Sequence, residues 1–337
     1  MIELLKKLFA FFLLSFFLMN IFGCSKKSNF EAYIERSERL LGKRIQSPTS
    51  LISVALPRHV VIDKKSSGTS IDLLDFFSLS PCELQLIIAR QNSSLGKVAL
   101  DSQKLINDLL FLDKAERCLD RLSPSDQVLR EKIQKAISDK KSNLSTNIAR
   151  ATLGGPEYRE MWSGSRSFGD LFFDSKGILA LSYIRDKSES WLEGKYQVED
   201  LELESNLSIL RASPLAEYMK HILRNNYYLS RLTILIKEEY RRGGFCKDGA
   251  LTEKGLILRN LVQTYFTEAS SSEINIVTRG LSASLHEIQK LNQLLSNVLS
   301  NEYKEFFTDQ LNSLVQSKKI LREHSAALKP IIFSCPN

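Results

Sequence analysis

The sequence carries none of the short motifs that announce a common chemistry. It has no P-loop and no G-x-G-x-x-G, so neither phosphate-cradling turn is present. No C-x-x-C occurs, which weighs against zinc binding or a thioredoxin-like redox pair. The four histidines, His59, His221, His286 and His324, lie far apart with no ligand spacing. His286-Glu287-Ile288-Gln289-Lys290 begins like a zinc-protease helix, but Lys290 stands where the second histidine must complete the metal face. Ser165-Arg166-Ser167-Phe168-Gly169 lacks the first glycine of a nucleophile elbow. Ser94-Leu95-Gly96-Lys97 matches S-x-x-K without the S-D-N and K-T-G partners that penicillin-recognising enzymes carry. The sequence therefore nominates no catalytic residue, no metal ligand and no cofactor. Internal repeats and low-complexity tracts are missing too.

A long apolar run is also lacking, and the shorter one present has a different use. Leu8 to Phe22 is apolar except for Ser15 and Asn20, follows Lys6 and Lys7, and ends at Gly23-Cys24. A span needs roughly 20 apolar residues to cross about 30 Å of hydrocarbon, and this run falls short. A charged head, an apolar core of this length and a small residue at the break describe a secretory signal over residues 1–23. The cysteine directly after Gly23 narrows it further. Ile21-Phe22-Gly23-Cys24 resembles the bacterial lipobox, in which the thiol takes a diacylglycerol and becomes the mature N-terminus. Phe22 is bulkier than that pattern usually shows. Each buried CH₂ contributes about 0.8 kcal/mol, so several acyl chains make a lasting anchor. Ser25 in place of Asp resembles enterobacterial sorting to the outer membrane, facing the periplasm. Lipidation at Cys24 and a membrane partner reached through that anchor are the expectations.

Four cysteines remain: Cys82, Cys118, Cys246 and Cys335. An even number in an oxidising compartment reads as two disulfides. Four thiols allow three pairings, and the spacing favours Cys82–Cys118 and Cys246–Cys335, one in each half. The rival for Cys82 is a reactive thiol in the first turn of a helix, where the pKa is lowered. The net charge of +7 falls by one when Glu3, Lys6 and Lys7 leave with the signal. Both signs are spread along the whole chain and no recognition motif appears, so no nucleic acid partner is expected.

Periodicity and caps predict helix almost throughout, hence an all-α, multi-helix bundle. Phe30, Ile34 and Leu41 share a face of a first helix ending near Gly42. Residues 46–70 read as an irregular crossing segment. Ser80-Pro81-Cys82-Glu83 supplies an N-cap, a first-position proline and a capping-box Glu. Helices follow over Ser102 to Leu122, after Ser123-Pro124, and from Ser213-Pro214 to Gly243-Gly244. Gly154-Gly155-Pro156 predicts a left-handed stop. The stretch from Glu157 to Tyr196, with Trp162, Trp191 and the turn-like Asp174-Ser175-Lys176-Gly177, fits a small hairpin or a broken helix. Leu281, Leu285, Ile288, Leu291, Leu295 and Val298 form one late stripe, and Phe307, Leu311, Leu314 and Leu321 another. The expected organisation is one extracytoplasmic helical domain over residues 24–337. It has two possible subdomains, about 24–155 and 197–337, joined by the irregular segment.

Periodicity alone does not account for Ala89-Arg-Gln-Asn-Ser-Ser-Leu-Gly-Lys-Val98. It reads as a polar helix end closing on its own carbonyls, or as an exposed shelf of Arg90, Asn92, Ser93 and Lys97 that binds a ligand or partner. This run, the L-x-x-C-x-L-Q start before it and the F-L…R-C-L at Cys118 resemble a set of proteobacterial lipoproteins grouped as domain of unknown function 3080. So do Leu56-Pro-Arg-His-Val-Val-Ile62, the Gly-Gly-Phe-Cys ending at Cys246, and the close of the chain from His324. The resemblance implies the lipidated Cys24 and paired cysteines, and no activity. Two expectations follow. The first is a non-enzymatic binding, scaffolding or assembly factor tethered in the cell envelope. The second is an envelope enzyme acting on peptidoglycan, lipid or glycan, with Arg90 to Lys97 or Trp162 to Asp170 lining its cleft.

Overall fold

The structure is a computed structural model that describes residues 28–48, 54, 56–62, 79, 82–123, 126–163, 171–333 and 335. The signal, Cys24, Ser80-Pro81 and the elbow-like run at 165–169 lie outside the described residues. Helix α1 (Asn29–Leu41) opens with a capping box: Ser28 Oγ accepts from the Glu31 N–H and the Glu31 carboxylate accepts from the Ser28 N–H, each at 3.2 Å. Then come α2 (Leu84–Asn92), the single turn α3 (Ser94–Lys97), α4 (Asp101–Arg121) and α5 (Gln127–Ala151). Next are α6 (Pro156–Ser163), α7 (Ser175–Leu192), α8 (Asp200–Arg211) and α9 (Leu215–Arg241). A two-stranded hairpin, β1 (Cys246–Lys247) and β2 (Ala250–Leu251), leads to α10 (Glu253–Leu261). A π-helical stretch (Val262–Ser270), α11 (Ser271–Leu294) and α12 (Asn301–Phe333) complete the order. The fold is mainly α, a multi-helix bundle, as the periodicity predicted.

The core is organised in three clusters. The largest joins α4 and α5 to α6 through α9, α11 and the first half of α12, and it buries both Trp162 and Trp191 completely. Fully burying a side chain of this class contributes about 1.5–3 kcal/mol, so this cluster anchors the molecule. Inside it the Tyr158 hydroxyl meets the Tyr303 hydroxyl at 2.8 Å, and Tyr303 donates to Asn292 Oδ1 at 3.0 Å. The second cluster lies around α1, the later half of α9, α10, the π-helix and the end of α12. The third is a small lobe where α4 and α5 run beyond the main core and meet α2. Both disulfides are the pairs that the spacing favoured. Cys82–Cys118 fastens α2 to α4 in the small lobe, and Cys246–Cys335 fastens the hairpin to the chain just after α12. The reactive-thiol reading of Cys82 falls, because its sulfur is bonded to Cys118.

Several local expectations are corrected. Of the two alternatives for Glu157 to Tyr196, the broken helix holds among the described residues, as α6 and α7. Asp174 is an N-cap, its Oδ1 accepting from the Gly177 N–H at 3.0 Å, and not the corner of a hairpin. The hairpin sits instead at Asp248-Gly249, both left-handed with φ of 51° and 72°, as a tight two-residue loop demands. Neither Gly154 nor Gly155 adopts positive φ. Gly154 is small because a Cβ there would lie 3.3 Å from the Arg150 Cα and from Val61 Cγ2, and Pro156 opens α6 rather than only ending α5. Helix α2 begins at Leu84, and the residue before it, Glu83, forms no side-chain cap; its carboxylate lies 3.4 Å from Lys114 Nζ. Part of the crossing segment is ordered against the core. Ile62 N–H bonds the Val298 carbonyl at 2.8 Å and Ser300 N–H bonds that of Val60 at 2.9 Å.

Candidate functional site

The polar run at the end of α2 packs where α2 and α3 meet the starts of α4 and α8. Ser93 is used within it: its hydroxyl donates to the Arg90 carbonyl at 2.8 Å and accepts from the Gly96 N–H at 3.0 Å, closing α2 and capping α3. Arg90 reaches across to α4, its Nη2 donating to Gln103 Oε1 at 3.2 Å. Gln103 in turn donates to Glu204 Oε1 on α8 at 2.6 Å. Below them Asp108 accepts from Gln91, Asn147 and Lys140, which ties α2 and α5 to α4. Asn92 and Lys97 are exposed, with no side-chain hydrogen bond or ion pair among the described residues. Of the four predicted shelf residues, two therefore hold the shelf in place and two face solvent freely.

What the sequence reading missed here is apolar. Leu86, Leu95 and Val98 are 74%, 81% and 78% exposed, Leu100 is also exposed, and Leu201, three residues before Glu204, is 87% exposed. Single exposed aliphatic side chains are ordinary and a grouped set marks an interaction surface; these five are carried by α2, α3, the N-cap of α4 and α8, elements joined by the Arg90–Gln103–Glu204 chain. One sequence signal was available: Leu100 occupies the N-cap of α4, where Ser, Thr, Asp or Asn is favoured, and it makes no side-chain cap.

Two further arrangements involve residues that periodicity could not single out. A groove of about 670 Å³ runs between α1 and α9, with Glu35, Glu38 and Arg44 along it, and Arg224 paired to Glu31 at 2.9 Å. Deeper in, His324 is wholly buried between Tyr33 of α1 and Thr233 of α9, at 2.8 Å from each hydroxyl. Thr233 donates to the Leu229 carbonyl at 2.6 Å, so it accepts from Nδ1–H of His324. Nε2 then accepts from the Tyr33 hydroxyl. Burial lowers the His324 pKa to about 3. His221 on α9 is lowered to about 4, by burial first and by the nearby Arg224 second. Both imidazoles are neutral near pH 7. His286 is exposed on α11. Among the described residues no His, Cys, Asp and Glu group has metal-site geometry, and no helix is long and apolar enough to cross a membrane.

The family model described as protein of unknown function (DUF3080) matches residues 30–327. The chain belongs to this family. The match takes in the whole shelf, the buried His324 and three of the four paired cysteines, and it begins six residues after Cys24. No curated protein and no solved structure matches the chain.

Proposed function

We propose that this DUF3080 protein is a lipid-tethered, non-enzymatic adaptor of the cell envelope. In this reading acylated Cys24 holds it at the periplasmic face of the outer membrane, and the shelf at the end of α2 docks an envelope protein. The observation that carries the reading is the exposed aliphatic set Leu86, Leu95, Val98, Leu100 and Leu201, set around side chains pinned by the Arg90–Gln103–Glu204 chain. An apolar surface set around pinned side chains suits a partner, because little side-chain freedom is lost on binding.

A photo-crosslinking residue placed at Leu95 in intact cells tests it, with Lys319 on α12 as the control position. The expected result is one adduct from Leu95, lost when Arg90→Glu is added and absent from Lys319. Equal adducts from both positions, or none, overturn the docking reading. The mass of the N-terminal peptide reports acylation of Cys24 independently.

The α1–α9 groove favours a second reading, an envelope enzyme acting on peptidoglycan, lipid or glycan, because it gathers Glu35 and Glu38 beside Arg44 in one open cleft. Release of soluble fragments from purified peptidoglycan, abolished by Glu35→Gln with the fold intact, is the result this reading requires.

A further inference from the structure

A second exposed apolar group lies away from the shelf, where α7 begins. Phe172 is 55% exposed, Phe173 is also exposed and Leu179 is 68% exposed. Lys176 and Arg279 are exposed beside them, and the Arg279 guanidinium lies 5.2 Å from the centre of the Phe173 ring. This group is held firmly from below. The Tyr218 hydroxyl donates to the Phe172 carbonyl at 2.5 Å and accepts from the Asp174 N–H at 3.1 Å, and Asp174 caps α7. On the other side of Tyr218, Gly280 of α11 lets the helices close, since a Cβ there would fall 2.5 Å from the ring.

Its position relative to the chain's start gives it a use. Helix α1 begins at Asn29 after its cap Ser28, and Glu31 in its first turn is bound to Arg224. Arg224 and Tyr218 are six residues apart on α9, an axial distance of about 9 Å. Cys24 precedes Ser28 by four residues, which reach at most about 14 Å when fully extended. An acyl anchor on Cys24 therefore keeps the start of α1 close to the bilayer, and the level of α9 that holds the Phe172–Phe173 group is about 9 Å along the axis from the level that holds α1.

We infer that Phe172, Phe173 and Leu179, rimmed by Lys176 and Arg279, form the seat on which the protein rests against an anionic bilayer surface. This rests on the lipidated Cys24 of the proposed function. The chemistry fits such a surface. Aromatic and aliphatic side chains enter the headgroup boundary while Lys and Arg attract anionic lipid. The seat also fixes where the shelf points. Ser213, just past α8, lies at Gly177 near the start of α7, so α8 runs back along α7. Leu201, in the first turn of α8, is then about 15 Å along that helix from the seat end. The shelf is carried away from the bilayer, toward a partner in the periplasm.

Depth-dependent fluorescence quenching tests the seat. The full mature chain is reconstituted in phosphatidylethanolamine vesicles containing a minor fraction of phosphatidylglycerol. A thiol-linked dye is placed by Leu179→Cys or by Leu95→Cys, with the unsubstituted chain as blank, and nitroxide-labelled lipid is the quencher. The expected result is quenching at position 179 and none at position 95. Lys176→Glu and Arg279→Glu then weaken the seated population by about fivefold for each cation lost. An unquenched label at 179, or equal quenching at both positions, overturns the seat. The mass of the N-terminal peptide separates the two ideas. An acylated peptide with an unquenched 179 label removes the seat alone, whereas a quenched 179 label on a non-acylated chain keeps the seat and removes the anchor.

Discussion

Where the end of α2 meets the starts of α4 and α8, aliphatic side chains face water while polar ones bond to each other across the three helices. At the Cys246–Cys335 end the arrangement is reversed: Tyr33, Thr233 and His324 are buried as a hydrogen-bonded trio inside an apolar cluster. Among the described residues, the small lobe's cluster has eleven buried residues, against fifteen at the other end. With less core, the lobe depends more on its staple and on the Asp108 network. The C-terminal end instead tightens a junction of three helices that are far apart in sequence.

Removing each staple should separate the two ends most clearly. By chain entropy, loops of 89 and 36 residues correspond to about 4–5 and about 4 kcal/mol. Cys246→Ser with Cys335→Ser should lower global stability by that amount in urea, read by emission from the buried Trp162 and Trp191. Cys82→Ser with Cys118→Ser should act locally. Limited proteolysis should cut first between α2 and α4, while the tryptophan transition moves less. Coincident global losses for both pairs would mean that the lobe is not a separable unit.

A smaller effect comes from the buried trio. His324→Leu leaves the Tyr33 hydroxyl without its acceptor, at a cost of about 2–3 kcal/mol in urea unfolding. Adding Tyr33→Phe should recover part of the loss, because the orphaned hydroxyl goes with it. If the second substitution makes matters worse, the trio is not the unit described.

Two buried histidines, His324 of the trio and His221 of α9, set an acid limit. Folded His324 and His221 have pKa values of about 3 and about 4, against 6.5 for the ordinary side chain. Between those values the unfolded chain binds protons that the folded one refuses, so their stability contribution is complete above pH 6.5 and falls as pH drops toward 4. The slope reaches at most about 1.4 kcal/mol per pH unit for each histidine. The small lobe contains no histidine between residues 79 and 136. Urea midpoints followed by tryptophan emission should therefore fall from pH 7 to pH 5 in the parent and fall less in His324→Leu. Equal slopes in both chains would remove His324 from the account.

The helices were legible because their signals are local: apolar residues every three or four positions, and stop residues such as Gly42 and Gly243. Signals shared by two structures were not. Asp174 to Gly177 has the composition of a turn and of a helix cap, because a carboxylate oxygen can accept from a backbone N–H in both. Asp248-Gly249 is the stronger hairpin pair, but its strands of two residues are too short to alternate visibly. His324 was unreadable because its partners stand 291 and 91 residues away. The polar half of the shelf was readable from its composition. Its aliphatic half was hidden, since leucine at helical spacing is ordinarily core and only packing decides which leucines stay outside.

The shelf itself gives the smallest stability effect and the most informative one. Arg90 is exposed, and its bond to Gln103 is an exposed polar contact between α2 and α4. Contacts of this kind contribute about 0.5–1.5 kcal/mol, so Arg90→Ala should shift the urea midpoint only slightly. Leu95→Asp and Val98→Asp should not lower stability at all, because both side chains already stand in water in the folded chain. Their effect should appear only as loss of the Leu86-face adduct when the crosslinker is moved to Leu86. A large stability loss from Leu95→Asp would show that the side chain is covered within the protein itself. The contrast between an outward-facing lobe and an inward-facing C-terminal end would then fail at the residue on which it most depends.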